Sequence, residues 1–156
     1  MPRIRIELPE SFVFATEVTI CIGHINYGNH LDNAQLFSLV SEARVRFFKS
    51  LGYAELDVEG VGIVIADVAA EYRSEGRHGE TMVVEMAAEH FNKYGCDLVW
   101  RMSDKASGRE VARGKLSESA ARAKAEQFLK ANLDGRKIDP STAGFATFDL
   151  DPTDFT

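Results

Sequence analysis

The sequence predicts an α+β fold in which an antiparallel sheet packs around one long helix. The first observation is a change in apolar spacing near residue 32, from every second residue to every third or fourth, which is typical of a strand followed by a helix. The second is a series of strand-like segments after this helix, joined by short turns. This order of elements favours an antiparallel sheet with the helix on its concave face.

The first strand is predicted at residues 12–22. Apolar residues of one parity recur along it, with Thr16 as the exception. Such alternation, with β-branched residues, indicates a half-buried strand. The residues expected on the buried face are Phe12, Phe14, Val18, Ile20 and Ile22.

The long helix is predicted to follow a polar turn. Asp32 or Asn33 can cap its N-terminus, and Gly52 can end it. Apolar residues spaced by three and four mark a buried face over about five turns. The opposite, exposed face is expected to carry Glu42, Arg44, Arg46 and Lys49.

Strand patterns return after this helix. The segments are joined by short turns. The predicted strands are residues 63–73, 81–92, 96–103 and 110–116, with a hairpin turn at 104–108.

The C-terminal part has a different composition. Residues 117–133 are rich in Ala and precede Gly135, which predicts a further helix, followed by a loosely ordered tail. We therefore predict a single domain over residues 1–156, with its core at about 12–116 and the C-terminal helix and tail at 117–156.

Composition narrows the classes of function. The chain has 156 residues, 45% of them hydrophobic, and a net charge of −6. An acidic chain without a basic segment is a poor match for nucleic acid or an anionic membrane, so neither is predicted as a partner. Cys21 and Cys96 are predicted to be reduced core residues, and the sequence shows no apolar leader or membrane span, which together favour the cytoplasm.

The polar turn G-H-I-N-Y-G-N-H-L-D-N at residues 23–33 holds the side chains best suited to chemistry. Unpaired N–H groups at the start of the following helix would favour a developing negative charge. A thioester carbonyl placed there would be polarised, and a nearby carboxylate could act as nucleophile or as general base toward water. The polar residues of the turn are His24, Asn26, Asn29, His30, Asp32 and Asn33.

Structural roles compete with catalysis in this turn. An isolated Asp32 is more often a helix N-cap than a catalyst, and Asn26 and Asn29 are ordinary turn residues. His24 and His30 have neither the helical spacing nor a third ligand for zinc, so no metal is predicted.

The stretch N-H-L-D-N-A-Q-L-F-S-L-V-S-E-A-R-V-R-F-F-K-S-L-G, which begins at Asn29, resembles the signature of hotdog-fold thioesterases of the 4-hydroxybenzoyl-CoA thioesterase type. Members commonly show G-H-V-N-N, then an apolar helix with E-A-R, then an aromatic residue and L-G. The later stretch A-E-Y-R-S-E-G-R-H-G-E is similar to the family's strand ending in Y-x-x-P-x-x-x-G-D. The resemblance covers about residues 12–116.

The resemblance implies a hotdog fold, with an antiparallel sheet wrapped around one long central helix. It implies a homodimer whose sheets join, often paired further into a homotetramer, with active sites at the dimer interface. The implied reaction is hydrolysis of an acyl-CoA or acyl-carrier-protein thioester to a carboxylic acid and a free thiol. No cofactor is expected.

The site residues implied by the resemblance depart from the family pattern at one place. Many members have an aspartate four residues before the histidine, where this chain has Asn26. We therefore expect Asp32 to be the general base or nucleophile, with Asn26 and His30 positioning water and the carbonyl. Glu42 is the second choice of carboxylate, although it could simply pair with Arg46.

Substrate contacts are expected from the turn and from basic residues farther along the chain. The turn would contribute His24, Asn29 and Asn33. Arg and Lys side chains near turns suit a nucleotide phosphate, although a solvated basic edge explains them equally well. These residues are Arg73, Arg77 and Lys93.

Two other functions compete with hydrolysis. A hotdog enoyl-thioester hydratase would usually show a G-D-x-N-P-x-H type segment, whereas this chain has G-N-H-L-D-N without proline. A non-catalytic acyl-thioester binding module is favoured by Asn26 in place of the aspartate. The sequence leaves the acyl group undetermined.

Overall fold

The computed structural model describes residues 3–58, 62–92 and 95–120. It contains five strands, one α-helix and a short 3-10 helix at Ile22–His24, which confirms the predicted α+β hotdog architecture. The elements are β1 (Phe14–Thr19), α1 (Asn33–Ser50), β2 (Ile63–Tyr72), β3 (Thr81–Asn92), β4 (Gly95–Asp104) and β5 (Glu110–Ala120).

The strands form one antiparallel sheet in the order β1-β3-β4-β5-β2. The hairpins β3-β4 and β4-β5 make its centre, and β1 and β2 are its edges. The helix α1 contacts β1 and β3, so it lies toward the β1 side of the sheet. Within the described ranges, no helix is both long and apolar enough to cross a membrane.

The helix α1 begins and ends at the predicted signals. Asp32 is its N-cap, and its side chain accepts hydrogen bonds from the backbone N–H groups of Ala34 and Gln35. After Ser50 the chain turns at Gly52, whose φ of +82° suits a residue without a Cβ.

The core lies between α1 and the centre of the sheet. Trp100 of β4 is fully buried, and its ring meets that of Phe37 edge to face at 6.5 Å between centroids. Gly114 of β5 makes room for this indole, because a Cβ there would collide with the Trp100 ring and the Ala69 carbonyl. Other large and fully buried side chains are Phe47, Phe48, Ile20, Leu36, Met82, Met86 and Leu98.

The first strand is shorter than predicted, because the chain leaves the sheet before Cys21. The 3-10 helix starts at Ile22, and His24 Nδ1 accepts a hydrogen bond from the Cys21 backbone N–H at 2.9 Å. Ile22 and Cys21 are consequently exposed, so their predicted burial is wrong. Cys96 is buried as predicted, and burial is the main cause that raises the pKa of its thiol to about 12.

Arg44 was expected on the exposed face of α1, and this prediction is wrong. Its side chain pairs with Glu55, because the segment after α1 folds back along the helix. Its Nε also lies 3.7 Å from Glu118 Oε1 on β5. Arg44 and Glu118 are only 9% and 6% exposed, so this cluster is a buried electrostatic link between helix and sheet.

The last strand is longer than predicted. Residues 117–120 continue β5 instead of beginning a helix: residues 117–119 pair with both β2 and β4, and Ala120 pairs with β2. Pairing with neighbouring strands outweighs the local helix preference that Glu118 and Ala120 give this stretch. The remainder of the predicted C-terminal helix and the tail lie outside the described residues.

We expect the wild-type protein to lose stability relative to Glu118→Gln as the pH rises from about 4.5 to about 8. Burial, opposed in part by Arg44 and reinforced by Glu55, raises the folded-state pKa of Glu118 to about 7, from an ordinary value of 4.5. The stabilisation that comes with a raised carboxyl pKa is complete below the unfolded-state pKa and is lost as the pH passes the folded-state pKa. Urea unfolding over this pH range tests the prediction. A free-energy difference between the two proteins that stays constant would contradict it.

Candidate active site

Backbone hydrogen bonds hold the polar turn in place. Ile25 and Leu31 form an isolated antiparallel bridge. The Asn26 N–H donates to the His30 carbonyl at 3.0 Å, and the Asp32 N–H donates to the His24 carbonyl at 2.9 Å. These bonds hold the whole turn against the start of α1.

Two predicted side chains meet over Gly28. Asn26 Oδ1 accepts a hydrogen bond from the Gly28 N–H at 2.9 Å. A Cβ at Gly28 would lie 3.0 Å from His30 Nε2 and 3.1 Å from Asn26 Oδ1, so both groups lie against this glycine. His30 Nδ1 lies 3.2 Å from the Leu31 carbonyl. A hydrogen on Nδ1 satisfies that contact and leaves Nε2 as an acceptor.

Asp32 caps the helix, which is the structural role that competes with catalysis. One of its two carboxylate oxygens is not used by the cap. Its Oδ1 accepts from the backbone N–H groups of Ala34 at 2.8 Å and Gln35 at 3.2 Å. Within residues 3–58, 62–92 and 95–120, Oδ2 makes no hydrogen bond. The cap therefore fixes the carboxylate and leaves one oxygen available.

Tyr72 at the end of β2 joins the site, although the sequence did not single it out. Its hydroxyl donates to the Asn33 carbonyl at 2.9 Å. Burial, and secondarily the negative charge of Asp32, raises the pKa of Tyr72. The only sequence signal was its position in the A-E-Y-R segment that resembles the family strand.

Arg77 also reaches the turn. Its Nη1 donates to the Asn29 carbonyl at 2.9 Å, and its Nη2 pairs with Glu75. Asn29 has a positive φ of 62°, which asparagine tolerates better than most residues. Asn29 and Asn33 are both exposed. The structure thus brings six of the predicted residues together: Asn26, Asn29, His30, Asp32, Asn33 and Arg77.

Glu42 lies away from the turn, whereas His24 belongs to the turn through its backbone. Glu42 follows Asp32 by ten residues, which is about 15 Å along a helix axis. It pairs with Arg46 at 2.7 Å, as its i,i+4 spacing allowed. Glu42 and His24 both line an open groove of about 570 Å³ beside β1.

Arg73 does not reach the turn. Arg73 follows β2 and pairs with Glu71 at 2.7 Å. It lines a groove against the N-terminal segment instead. Lys93 lies outside the described residues. No three His, Cys, Asp or Glu side chains in the described part of the chain are arranged to hold a metal ion.

Comparison with known proteins identifies the family. A family model described as the thioesterase-like superfamily matches residues 20–127, which include the turn, α1 and the sheet from β2 onward. The chain belongs to the thioesterase-like superfamily. This match confirms the family that the sequence predicted. It also confirms the predicted enzyme class, a thioester hydrolase.

Solved structures agree with the fold of this thioesterase-like protein. A 1,4-dihydroxy-2-naphthoyl-CoA thioesterase from Synechocystis has a TM-score of 0.67 at 12% identity, covering 78% of this chain and 97% of its own. A gentisyl-coenzyme A thioesterase has a TM-score of 0.63 at 14% identity, covering 70% and 89%. A hypothetical thioesterase from Streptococcus pneumoniae with coenzyme A has a TM-score of 0.57 at 15% identity, covering 69% and 80%. No significant match was found among curated proteins.

The cap function of Asp32 can be measured separately from any chemistry. We expect Asp32→Ala to lower the free energy of unfolding by about 1 kcal/mol, because two helix N–H groups lose their acceptor. Asp32→Asn should change it by only a few tenths of a kcal/mol, because asparagine caps helices about as well as aspartate. Denaturant unfolding at neutral pH measures both values. Equal losses in the two variants would show that the cap contributes little.

Proposed function

We propose that this protein hydrolyses acyl-CoA thioesters at the N-terminus of α1. The observation that carries the proposal is the Asp32 carboxylate, which is held by the helix cap with Oδ2 unpaired and lies in the same turn as His30 and Asn26. The superfamily match supports the reaction type. Coenzyme A as the carrier is supported by the CoA thioesterases among the similar folds.

The geometry supports general-base hydrolysis. Asp32 Oδ2 takes a proton from a water molecule as the water oxygen bonds to the thioester carbon. The oxyanion that forms would accept from the backbone N–H of Asn33, the first residue of α1, which has no acceptor in the described part of the chain. The carbon–sulfur bond then breaks, and the thiolate receives the proton from Asp32. The products are a carboxylic acid and a free thiol.

His30 and Asn26 would position the reactants. His30 Nε2 faces Gly28 as an acceptor for water. Asn26 Oδ1 is occupied by the Gly28 N–H, which leaves the Asn26 amide NH₂ to donate to a substrate oxygen. A carboxylate at position 26 would be a second acid, so its replacement by an amide leaves Asp32 as the single charged group of the turn.

A non-catalytic binding module is the second candidate. It is favoured by Asn26, where the resemblance implies an aspartate, and by the engagement of Asp32 Oδ1 in the helix cap. Both features are compatible with a site that binds an acyl thioester without cleaving it.

We further propose a homodimer formed through the edge strand β2. Its residues 64–68 are all exposed, including Val64 at 66% and Val68 at 47%. An exposed apolar edge strand normally needs a partner, because its free N–H and C=O groups pair with other chains. The family resemblance implies the same joining of sheets, and further pairing into a tetramer. We propose the cytoplasm as the compartment, since Cys21 and Cys96 are free thiols.

For the activity, we expect Asp32→Asn to reduce kcat for acyl-CoA hydrolysis by about 100-fold or more, because the general base is lost while the cap is kept. Glu42→Gln, which removes a carboxylate remote from the turn, should stay within about twofold. Thiol release from a panel of acyl-CoAs, read with a thiol reagent, measures both. Full activity in Asp32→Asn together with loss in Glu42→Gln would reverse the assignment. Tight acyl-CoA binding without thiol release would establish the binding module.

For the assembly, we expect the double variant Val64→Lys, Val68→Lys to be monomeric, because charges on an edge strand oppose strand pairing. Leu56→Lys is the matched control, since Leu56 is 89% exposed and lies outside the sheet. Analytical ultracentrifugation gives the mass of each protein. A wild-type monomer, or a dimer that survives the double variant, would exclude this interface.

A further inference from the structure

The N-terminal segment, residues 3–7, is anchored beside the open end of β2. The Ile6 N–H donates to Glu71 Oε1 at 2.6 Å, and Arg113 Nη1 donates to the Ile6 carbonyl at 3.4 Å. The Ile6 side chain is buried, whereas Arg3 and Arg5 on either side of Ile4 are exposed. The anchor at Ile6 therefore holds these two arginines at a defined place on the molecule.

A groove of about 1340 Å³ lies between this segment and the end of β2. It is lined by residues 3–7, by residues 70–73 and by Arg113. Tyr72 is part of the lining, and its hydroxyl donates to the Asn33 carbonyl at the start of α1. Tyr72 therefore connects the groove with the start of α1, where hydrolysis is proposed.

The groove lies beyond the strand residues that would pair in the proposed dimer. An antiparallel pairing of two β2 strands centred on Ala66 would place Ala70 opposite residue 62, before the partner strand begins at Ile63. Residues 70–73 would then extend past the end of the partner strand. The strand pairing that covers residues 64–68 would therefore end before the groove.

The charges in the groove are unbalanced. Its lining contains four arginines and two glutamates, in a chain whose net charge is −6. Arg113 is neutralised by Glu110 at 2.6 Å, and Arg73 pairs with Glu71. Arg3 and Arg5 make no ion pair or side-chain hydrogen bond with any described residue. Two guanidinium groups are thus free to receive an anion at one end of the groove.

We propose that this groove binds the nucleotide phosphates of coenzyme A and that Arg3 and Arg5 determine specificity for this carrier. Guanidinium groups bind phosphate through paired, charge-assisted hydrogen bonds. The groove is larger than a single phosphodiester requires and can hold a whole nucleotide. Arg3 and Arg5 precede residues 20–127, the range matched by the family model, so these two guanidinium groups come from a part of the chain outside that match. The inference rests on the proposed acyl-CoA hydrolysis.

Binding tests the groove without requiring hydrolysis. We expect adenosine 3′,5′-bisphosphate to bind the wild-type protein in calorimetry, more weakly at higher salt. The double variant Arg3→Gln, Arg5→Gln should bind it about tenfold more weakly or worse, a change of about 1.4 kcal/mol. Lys49→Gln with Lys105→Gln removes the same charge elsewhere and should bind like the wild type. Equal affinity in all three proteins, or equal losses in both double variants, would overturn the proposal.

Enzyme kinetics test whether Arg3 and Arg5 recognise the nucleotide part of coenzyme A. Arg3→Gln, Arg5→Gln should raise KM for acyl-CoA about tenfold and leave kcat unchanged. The same variant should hydrolyse the matching acyl-pantetheine, which lacks the nucleotide, as well as the wild type does. An equal loss of activity on acyl-CoA and acyl-pantetheine would overturn the assignment to the nucleotide. So would a loss of activity seen only with an acyl-carrier-protein substrate. Bisphosphate binding with no thiol release from any thioester would refute the proposed hydrolysis and leave the groove intact.

Discussion

The N-terminus of α1 is the point on which the other elements depend. A helix begins with N–H groups that have no partner within the helix, and here Asp32 accepts two of them. The backbone of Asp32 is bonded to the His24 carbonyl, and the Asn33 carbonyl accepts from Tyr72 at the end of β2. Turn, helix and edge strand therefore meet at one capped position, which sets where α1 lies on the sheet.

At this position one carboxylate, that of Asp32, caps the helix and is also proposed to act in hydrolysis. Capping fixes Oδ1 toward the helix and thereby fixes the direction of Oδ2, so in the proposed reaction this second oxygen would need no further ordering. The positive end of the helix dipole stabilises the carboxylate and would stabilise an oxyanion formed beside it. Asn26 keeps a second negative charge out of this turn.

The sequence predicted the elements whose signal is local. The apolar period, the Asp32 cap and the Gly52 end placed α1 correctly, and the strand pattern placed β3 without error. The predictions were wrong where contacts with residues distant in sequence determine burial or secondary structure. Arg44 is buried because Glu55 and Glu118 approach it from other elements. Residues 117–120 are strand because β2 and β4 pair with them. The places of Tyr72 and the N-terminal arginines also depend on contacts between distant residues. Tyr72 of β2 bonds to Asn33 at the start of α1, and Ile6 beside the arginines bonds to Glu71.

The packing of Trp100 has a spectroscopic consequence. It is the single tryptophan of the chain, it is fully buried, and its ring lies against Phe37 near the start of α1. Gly114 on the neighbouring strand leaves the space that the indole fills. Tryptophan fluorescence of this protein therefore comes from one known position, where the first turns of the helix meet the centre of the sheet. Its emission reports directly whether the helix and the sheet are docked.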